Sequence, residues 1–108
     1  MSEVVKTLES GVIHAKVYSD DGLCYEKYRL NGKLHREDGP AYISYHGDGS
    51  VACEHYELND KLHREDGPAF INYHRDGSIV CENYYINNKR YSGEEYKVWL
   101  LNKELLEG

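Results

Sequence analysis

The chain lacks long hydrophobic runs and is poor in cysteine, proline and large apolar aromatics. Its 108 residues contain three Cys, two Pro, one Phe and one Trp. No run approaches the ~20 apolar residues of a membrane span, and the first ten residues lack the basic flank and apolar stretch of a signal peptide. An odd number of cysteines without a C-x-x-C pair predicts free thiols in a reducing compartment. These absences predict a single cytoplasmic domain, residues 1–108, with no membrane contact.

Positive charge is also scarce. Thirteen basic residues stand against 19 acidic ones, and the formal net charge is −6. Direct nucleic-acid binding normally needs a basic stripe, and docking on an anionic membrane needs basic clusters, so both are disfavoured. An acidic surface favours a protein partner with a basic surface, although it also simply keeps a protein in solution.

Tyrosine is the one abundant aromatic residue. Eleven tyrosines carry most of the aromatic content. Tyrosine combines an apolar ring with a polar hydroxyl, so it suits the half-buried faces of a β-sheet. The composition predicts a sheet with large solvated faces and a thin core.

An internal repeat organises the chain. Residues 30–46 and 58–74 are identical at fourteen of 17 positions, at an offset of 28. A third copy starts at Ile86, another 28 residues on, and residues 12–29 match the second half of a unit. Repeats of this length are typical of supersecondary units laid side by side, which predicts hairpin repeats over residues 12–91.

Two kinds of turn punctuate each unit. The dipeptides Asn31-Gly32, Asn59-Asp60 and Asn87-Asn88 favour tight two-residue hairpins, and the recurring Asp-Gly pairs favour slightly longer loops. The predicted strands are 12–18, 23–30, 41–46, 51–58, 69–74 and 79–86, with short extended segments near 33–35, 61–63 and 89–91. Between them, 36–40 and 64–68 are predicted turns in which glycine supplies conformational freedom before proline.

Alternation along the strands places a glutamate on a core-like face in every unit. Glu26, Glu54 and Glu82 share a face with tyrosines two residues further on. A half-buried carboxylate needs a partner. The repeated Arg36 and Arg64, or the histidines that precede them, are the predicted partners.

The C-terminal segment changes character. Ser92 followed by Glu95 fits a capping box, and the residues after it predict a broadly apolar helix over 92–107. We expect this helix to cap the last repeat. The alternative is that its wide apolar surface forms a homodimer or another partner contact.

The motif N-G-K-L-H-R-E-D-G-P-A, followed by Y-I-x-Y-x-x-D-G, resembles diverged MORN-type repeats of bacterial, phage and giant-virus proteins. The resemblance covers residues 12–106. It implies an open, meandering antiparallel sheet of tandem hairpins with one C-terminal capping helix, and a binding role. It carries over no catalytic residues.

The recurring polar residues are predicted to build structure, with no catalytic site, metal or cofactor. A turn must be rebuilt in every unit, whereas a reaction centre is needed once. Equivalent histidines in stacked units are expected ~10 Å apart, too far to share one zinc ion. Asp38 and Asp66 are expected to accept backbone N–H bonds, and Cys53 and Cys81 to be small buried side chains. The structural set is His35, Arg36, Asp38, Gly39, His63, Arg64, Asp66 and Gly67.

The aromatic residues are the candidate contacts, because tyrosine is enriched at protein interfaces. The candidates are Tyr25, Tyr42, Tyr45, Phe70, Tyr73, Tyr85 and Trp99. The sequence thus predicts a non-enzymatic module that presents a tyrosine- and acid-rich face to a protein partner. If phage-encoded, it would act in the host cytoplasm as an inhibitor, of the anti-CRISPR kind, covering the basic surface of a nucleic-acid-handling defence complex. The alternatives are a sponge for a small molecule or nucleotide, and a scaffold that assembles with itself.

Overall fold

A computed structural model describes residues 2–107 as eleven strands and one helix. The strands are β1 (Ser2–Thr7), β2 (Ile13–Ser19), β3 (Gly22–Leu30), β4 (Lys33–Leu34), β5 (Tyr42–Tyr45), β6 (Val51–His55), β7 (Glu57–Leu58), β8 (Lys61–Leu62), β9 (Phe70–Tyr73), β10 (Ile79–Ile86) and β11 (Lys89–Tyr91). The helix α1 spans Gly93–Glu107.

Consecutive hairpins form one large antiparallel sheet in the order β1-β2-β3-β5-β6-β9-β10-β11, with β4 paired to β3. A separate pair, β7 and β8, completes the second Asn turn. The sheet does not close on itself, and the molecule measures 49 × 34 × 19 Å. The predicted fold class, an open antiparallel sheet with one C-terminal helix, is therefore confirmed for the described residues.

The turn chemistry follows from the backbone angles. Both residues of each Asn turn have positive φ, for example 51° at Asn59 and 65° at Asp60, as the tight hairpin turn requires. In the longer loops Gly49 and Gly77 adopt φ of 91° and 89°. Glycine tolerates this left-handed region without steric cost.

Two strand predictions need correction. β1 lies outside the repeat and was not predicted, because its hairpin with β2 has no counterpart elsewhere in the sequence. The predicted strand 51–58 is interrupted at Tyr56, which separates β6 from β7. The amide of Tyr56 instead donates to Ala69 O at 2.7 Å.

Each connecting loop is bonded to the Asn turn of the next unit. Leu34 N donates to Asp60 Oδ1 at 2.7 Å, and Asp60 N donates to Leu34 O at 2.9 Å. The same two bonds recur 28 residues later between Leu62 and Asn88, at 3.3 and 2.7 Å. Adjacent units are therefore held together by repeated backbone and side-chain bonds as well as by the sheet.

The loops also place an arginine over a tyrosine. The guanidinium carbons of Arg36 and Arg64 lie 4.0 and 3.9 Å from the ring centroids of Tyr28 and Tyr56. We call the side of the sheet that carries these tyrosines the loop face, because loops 35–40 and 63–68 cover it. The opposite side is the ladder face.

The helix covers the third unit on the same face. Tyr84, the equivalent of Tyr28 and Tyr56, stacks on Tyr96 of α1 with 4.3 Å between ring centroids. The Tyr96 hydroxyl donates to Glu65 O at 2.6 Å. Tyr96 thus takes the place that arginine fills in the first two units.

The predicted capping box begins the helix. Ser92 N donates to Glu95 Oε1 at 2.9 Å, and Glu95 N donates to Ser92 Oγ at 3.1 Å. These reciprocal bonds satisfy two backbone donors that would otherwise lack partners.

Candidate functional site

The ladder face carries a row of rings contributed by neighbouring strands. Tyr42 of β5 pairs with His55 of β6, and His55 pairs with Phe70 of β9. Directly opposite residues of an antiparallel pair point to the same face, so the three rings form one row. Tyr25 of β3 joins them diagonally, with 5.9 Å between its ring centroid and that of Tyr42. We call Tyr25, Tyr42, His55 and Phe70 the aromatic ladder.

The rings of the aromatic ladder pack against one another through their faces. The Tyr42 and His55 centroids lie 5.1 Å apart, and the His55 and Phe70 centroids 4.7 Å apart, which matches the spacing of strands. The interplanar angles are 37° and 29°. Rings whose centroids are this close face one another and cannot lie flat side by side on the sheet. The ladder therefore exposes ring edges, a geometry suited to packing against another apolar surface. A platform for stacking bases would need free ring faces.

His55 is the titratable ring in the middle of the ladder. Hydrogen bonding to the Cys53 side chain and to the Glu57 carboxylate raises the pKa of His55 to about 9. Glu57 Oε2 lies 3.6 Å from His55 Nδ1, and its carboxylate is buried. The middle ring of the row therefore holds a proton more tightly than a free imidazole does.

An apolar cleft of about 300 Å³ continues the ladder toward the N-terminal hairpin. Its apolar lining comes from β1 and β2: Val5, Ile13, Ala15 and Val17. Lys27 and Arg29 of β3 lie at its border. Glu3 of β1 also lines the cleft, so charges of both signs lie beside its apolar part.

The repeat copies agree on the loop face and differ on the ladder face. Glutamate, tyrosine and isoleucine recur unchanged on the loop face, at 26/54/82, 28/56/84 and 43/71. On the ladder face the equivalent residues are Tyr25/Cys53/Cys81, Lys27/His55/Asn83, Arg29/Glu57/Tyr85, Tyr42/Phe70 and Ser44/Asn72. A residue that only builds the scaffold is expected to recur in every unit, so the variation marks the ladder face as the part with an individual role.

The structure divides the predicted contact residues between the two faces. It brings Tyr25, Tyr42 and Phe70 together, and Tyr85 lies on the same face, two residues after Asn83, which pairs with Phe70. Tyr45 and Tyr73 are on the loop face. Their hydroxyls bond to the repeated glutamates. Trp99 is half-buried on α1, with its ring centroid 6.2 Å from that of Tyr96.

The glutamate partners differ from those predicted. The Tyr45 hydroxyl donates to Glu26, and the Tyr73 hydroxyl donates to Glu54 Oε1 at 2.6 Å. Glu26 also lies 2.8 Å from His14 Nε2. Burial opposes ionisation of Glu26, but the bonds from Tyr45 and His14 outweigh it and hold the pKa of Glu26 below its usual value. The hydroxyls come from the next strand, which alternation within one strand cannot reveal.

The arginines instead form hydrogen bonds within their own loops. Arg36 Nε donates to Asp38 Oδ1 at 2.9 Å, and its Nη1 donates to Pro40 O at 3.2 Å. Arg64 makes the same two bonds with Asp66 and Pro68, at 3.0 and 3.1 Å. The bond found for each aspartate carboxylate is therefore to arginine, and the expected backbone N–H bond is not found in the described part of the chain.

Gly39 and Gly67 leave space for the arginine side chains. Neither has a positive φ, so the predicted need for conformational freedom is wrong. A Cβ at Gly39 would lie 2.9 Å from Arg36 Cζ, and one at Gly67 would lie 2.9 Å from Arg64 Cζ. The missing side chain makes room for the guanidinium.

The repeated histidines join neighbouring units. Asn59 N donates to His35 Nδ1 at 3.1 Å, and Asn87 N donates to His63 Nδ1 at 2.9 Å. Both histidines therefore accept the amide of an Asn turn in the next unit. Across residues 2–107 no group of three or more His, Cys, Asp or Glu side chains is arranged to hold a metal ion.

The three cysteines are free, as predicted. Cys24 and Cys53 are half-buried, whereas Cys81 is exposed, so its predicted burial is wrong. Cys81 lies on β10, and in the described chain no further unit follows to cover that strand.

Comparison with family models, curated proteins and solved structures finds no match. The resemblance to MORN-type repeats therefore stays an expectation from the sequence. Within residues 2–107, α1 falls short of the length and apolar character needed to cross a membrane.

Proposed function

We propose that the protein is a non-enzymatic protein-binding module that contacts its partner through the ladder face. The observation that carries this proposal is that the repeat copies differ on this face and expose a continuous aromatic row there. The recurring pairs His35/His63, Arg36/Arg64 and Asp38/Asp66 make scaffold contacts.

The aromatic ladder has the features of an interface centre. Its rings are half-buried and packed against one another, so little side-chain freedom is lost on binding. Aromatic residues held in this way are typical binding hot spots. The adjoining cleft of about 300 Å³ adds an apolar surface that a partner side chain can fill.

Carboxylates form the rim at one end of the strands. The β2–β3, β5–β6 and β9–β10 turns all lie at the same end of the strands. They carry Asp20, Asp21, Asp48 and Asp76. Bonds from the Ser50 and Ser78 side chains and amides lower the pKa of Asp48 and Asp76. A partner with an apolar centre and a basic rim complements this arrangement.

Such a partner surface is typical of proteins that bind nucleic acid. In the inhibitor form of the proposal, the module occupies the basic surface of a host nucleic-acid-handling complex, of the kind used in defence, and competes with the nucleic acid. The net charge of −6 supports this form, because it speeds encounter with a basic surface.

The test compares two matched substitutions in affinity capture from a host lysate, with captured proteins identified by mass spectrometry. Asn72→Lys places a charge on the ladder face, and Leu106→Lys places the same charge near the end of α1, at a side chain that is 90% exposed. We expect a partner retained by wild type and by Leu106→Lys to be lost from Asn72→Lys. Equal retention by all three proteins, with folding confirmed by circular dichroism, would contradict the use of the ladder face.

A second candidate is a sponge for a small molecule or nucleotide. The observation that favours it is a pair of clefts of about 590 and 430 Å³ beside the loops, within the range of ligand pockets. Against it, the ring of Tyr28 is already stacked on His14 and covered by Arg36. Calorimetry against a nucleotide panel separates the candidates, since a module that binds only protein gives no heat.

A further inference from the structure

The outer side of α1 is an apolar stripe that its own domain leaves uncovered. Val98, Leu101 and Leu105 are 54%, 59% and 81% exposed. Their spacing of three and four residues places them on one side of the helix. The opposite side packs on the sheet through Tyr96. A helix that is apolar on both sides is typically enclosed by two surfaces, and the fold supplies one of them.

The stripe has the pattern of a short coiled-coil seam. With Val98 and Leu105 at heptad position a, Leu101 falls at d, and Lys97 and Glu104 fall at the flanking position g. Both flanking residues are exposed, and neither makes an ion pair with another residue in the range 2–107. Position g of one helix faces position g of the other when two such helices pack antiparallel.

We propose that this stripe is a self-association surface on which α1 of a second copy packs antiparallel. Lys97 of each copy then lies beside Glu104 of the other, and the two-fold axis forms this pair twice. The stripe is complementary to itself in both shape and charge. The second copy is therefore the occupant that the sequence of the helix favours.

Parallel packing lacks this complementarity. Glu94, one turn before Val98, occupies the preceding d position. In a parallel pair it would face Glu94 of the second copy, which places like charges together at the seam. In the antiparallel pair Glu94 instead lies at the end of the contact, where it stays hydrated.

The contact is small. A 15-residue helix is about 22 Å long, and it offers less than the roughly 800 Å² per partner of a typical stable interface. The dimer is therefore expected to dissociate on dilution. It leaves the ladder face free, so it does not rest on the proposed partner binding and can be tested alone.

The first experiment is sedimentation velocity of the full chain from micromolar to millimolar concentration. We expect the wild type to shift from monomer to dimer and Leu101→Asp to stay monomeric throughout. The matched control is Val80→Asp, at a sheet residue that is 53% exposed, and it should dimerise like the wild type. A wild type that stays monomeric, or a Leu101→Asp variant that still dimerises, would overturn the proposal.

Charge reversal tests the antiparallel register. Lys97→Glu and Glu104→Lys should each weaken the dimer about tenfold at low salt, because each turns two attractive contacts into repulsive ones. The double variant should restore the wild-type dissociation constant. Single reversals without effect, or a double variant as weak as the singles, would overturn the antiparallel pairing.

Discussion

The two faces of the sheet are built from the same strands but follow different rules. On the loop face Glu26 and Glu54 each accept a bond from a tyrosine hydroxyl, and the rings of Tyr28, Tyr56 and Tyr84 are covered by an arginine or by α1. On the ladder face the equivalent residues change from copy to copy, and neither loop nor helix covers them. The difference teaches that repetition here maintains the scaffold, while most of the variation between the copies lies on the ladder face.

The three differences between the two long copies illustrate this. Tyr42 and Phe70 differ on the ladder face, as do Ser44 and Asn72. The third difference, Gly32 against Asp60, has a separate reason. Asp60 accepts the amide of Leu34 from β4 of the preceding unit, whereas no corresponding strand precedes Gly32 within residues 2–107.

The largest expected effect comes from removing one hydroxyl on the loop face. Tyr45→Phe leaves the carboxylate of Glu26, a residue only 8% exposed, with His14 as its remaining side-chain partner. We expect the free energy of unfolding to fall by about 2 kcal/mol. Urea unfolding measures it.

The matched substitution on the ladder face is Tyr42→Phe. Phenylalanine already occupies the equivalent position 70, so we expect a change below about 0.5 kcal/mol. If both variants lose the same stability, the two faces do not differ as described.

A smaller effect is expected where glycine makes room for arginine. Gly67→Ala brings a methyl group within 2.9 Å of Arg64 Cζ and displaces the guanidinium from Tyr56. We expect a loss of about 1 kcal/mol in urea unfolding. Gly47→Ala is the control, since no atom lies within 4 Å of its added Cβ. A Gly67→Ala variant as stable as this control would show that the guanidinium adapts freely.

An effect of similar size is expected in the pH dependence of stability, which depends on His55 of the ladder face. The Cys53 side chain and the Glu57 carboxylate raise the pKa of His55 to about 9, above the unfolded value of about 6.5. The bound proton therefore stabilises the fold fully below pH ~6.5, and this contribution is lost as the pH rises toward 9.

We expect the wild-type free energy of unfolding to fall by about 1 kcal/mol between pH ~6.5 and ~9, a value reduced for the partial exposure of the side chain. His55→Gln should lack this part of the slope. Urea unfolding at several pH values measures it, and an unchanged slope in the variant would exclude His55 as its source.

The sequence predicts features that depend on local chemistry. The Asn turns and the capping box involve residues within three positions of one another, and the structure confirms them. The identity of the repeats also predicts that equivalent units lie side by side. Strand β1 falls outside the repeat, so no internal comparison indicates it.

The sequence does not reveal contacts that depend on register between distant strands. The bond from Tyr73 to Glu54 spans 19 residues, and the nearer arginine is the more obvious choice in the sequence. The row of Tyr42, His55 and Phe70 joins three strands and appears only once their pairing is known. The sequence signal that could have indicated this row is the pattern of substitutions at alternating positions of otherwise identical copies.

The bonds between each loop and the following Asn turn give the array a direction. The residues around each loop offer hydrogen-bonding groups that only the following unit can pair with. A turn such as Asn59-Asp60 pairs with the groups that the preceding unit offers. The first turn has Gly32 and nothing to receive, and α1 replaces the successor at the far end. Duplication of an internal unit would therefore lengthen the protein without remaking either terminus, and each added unit would bring new side chains to the exposed side.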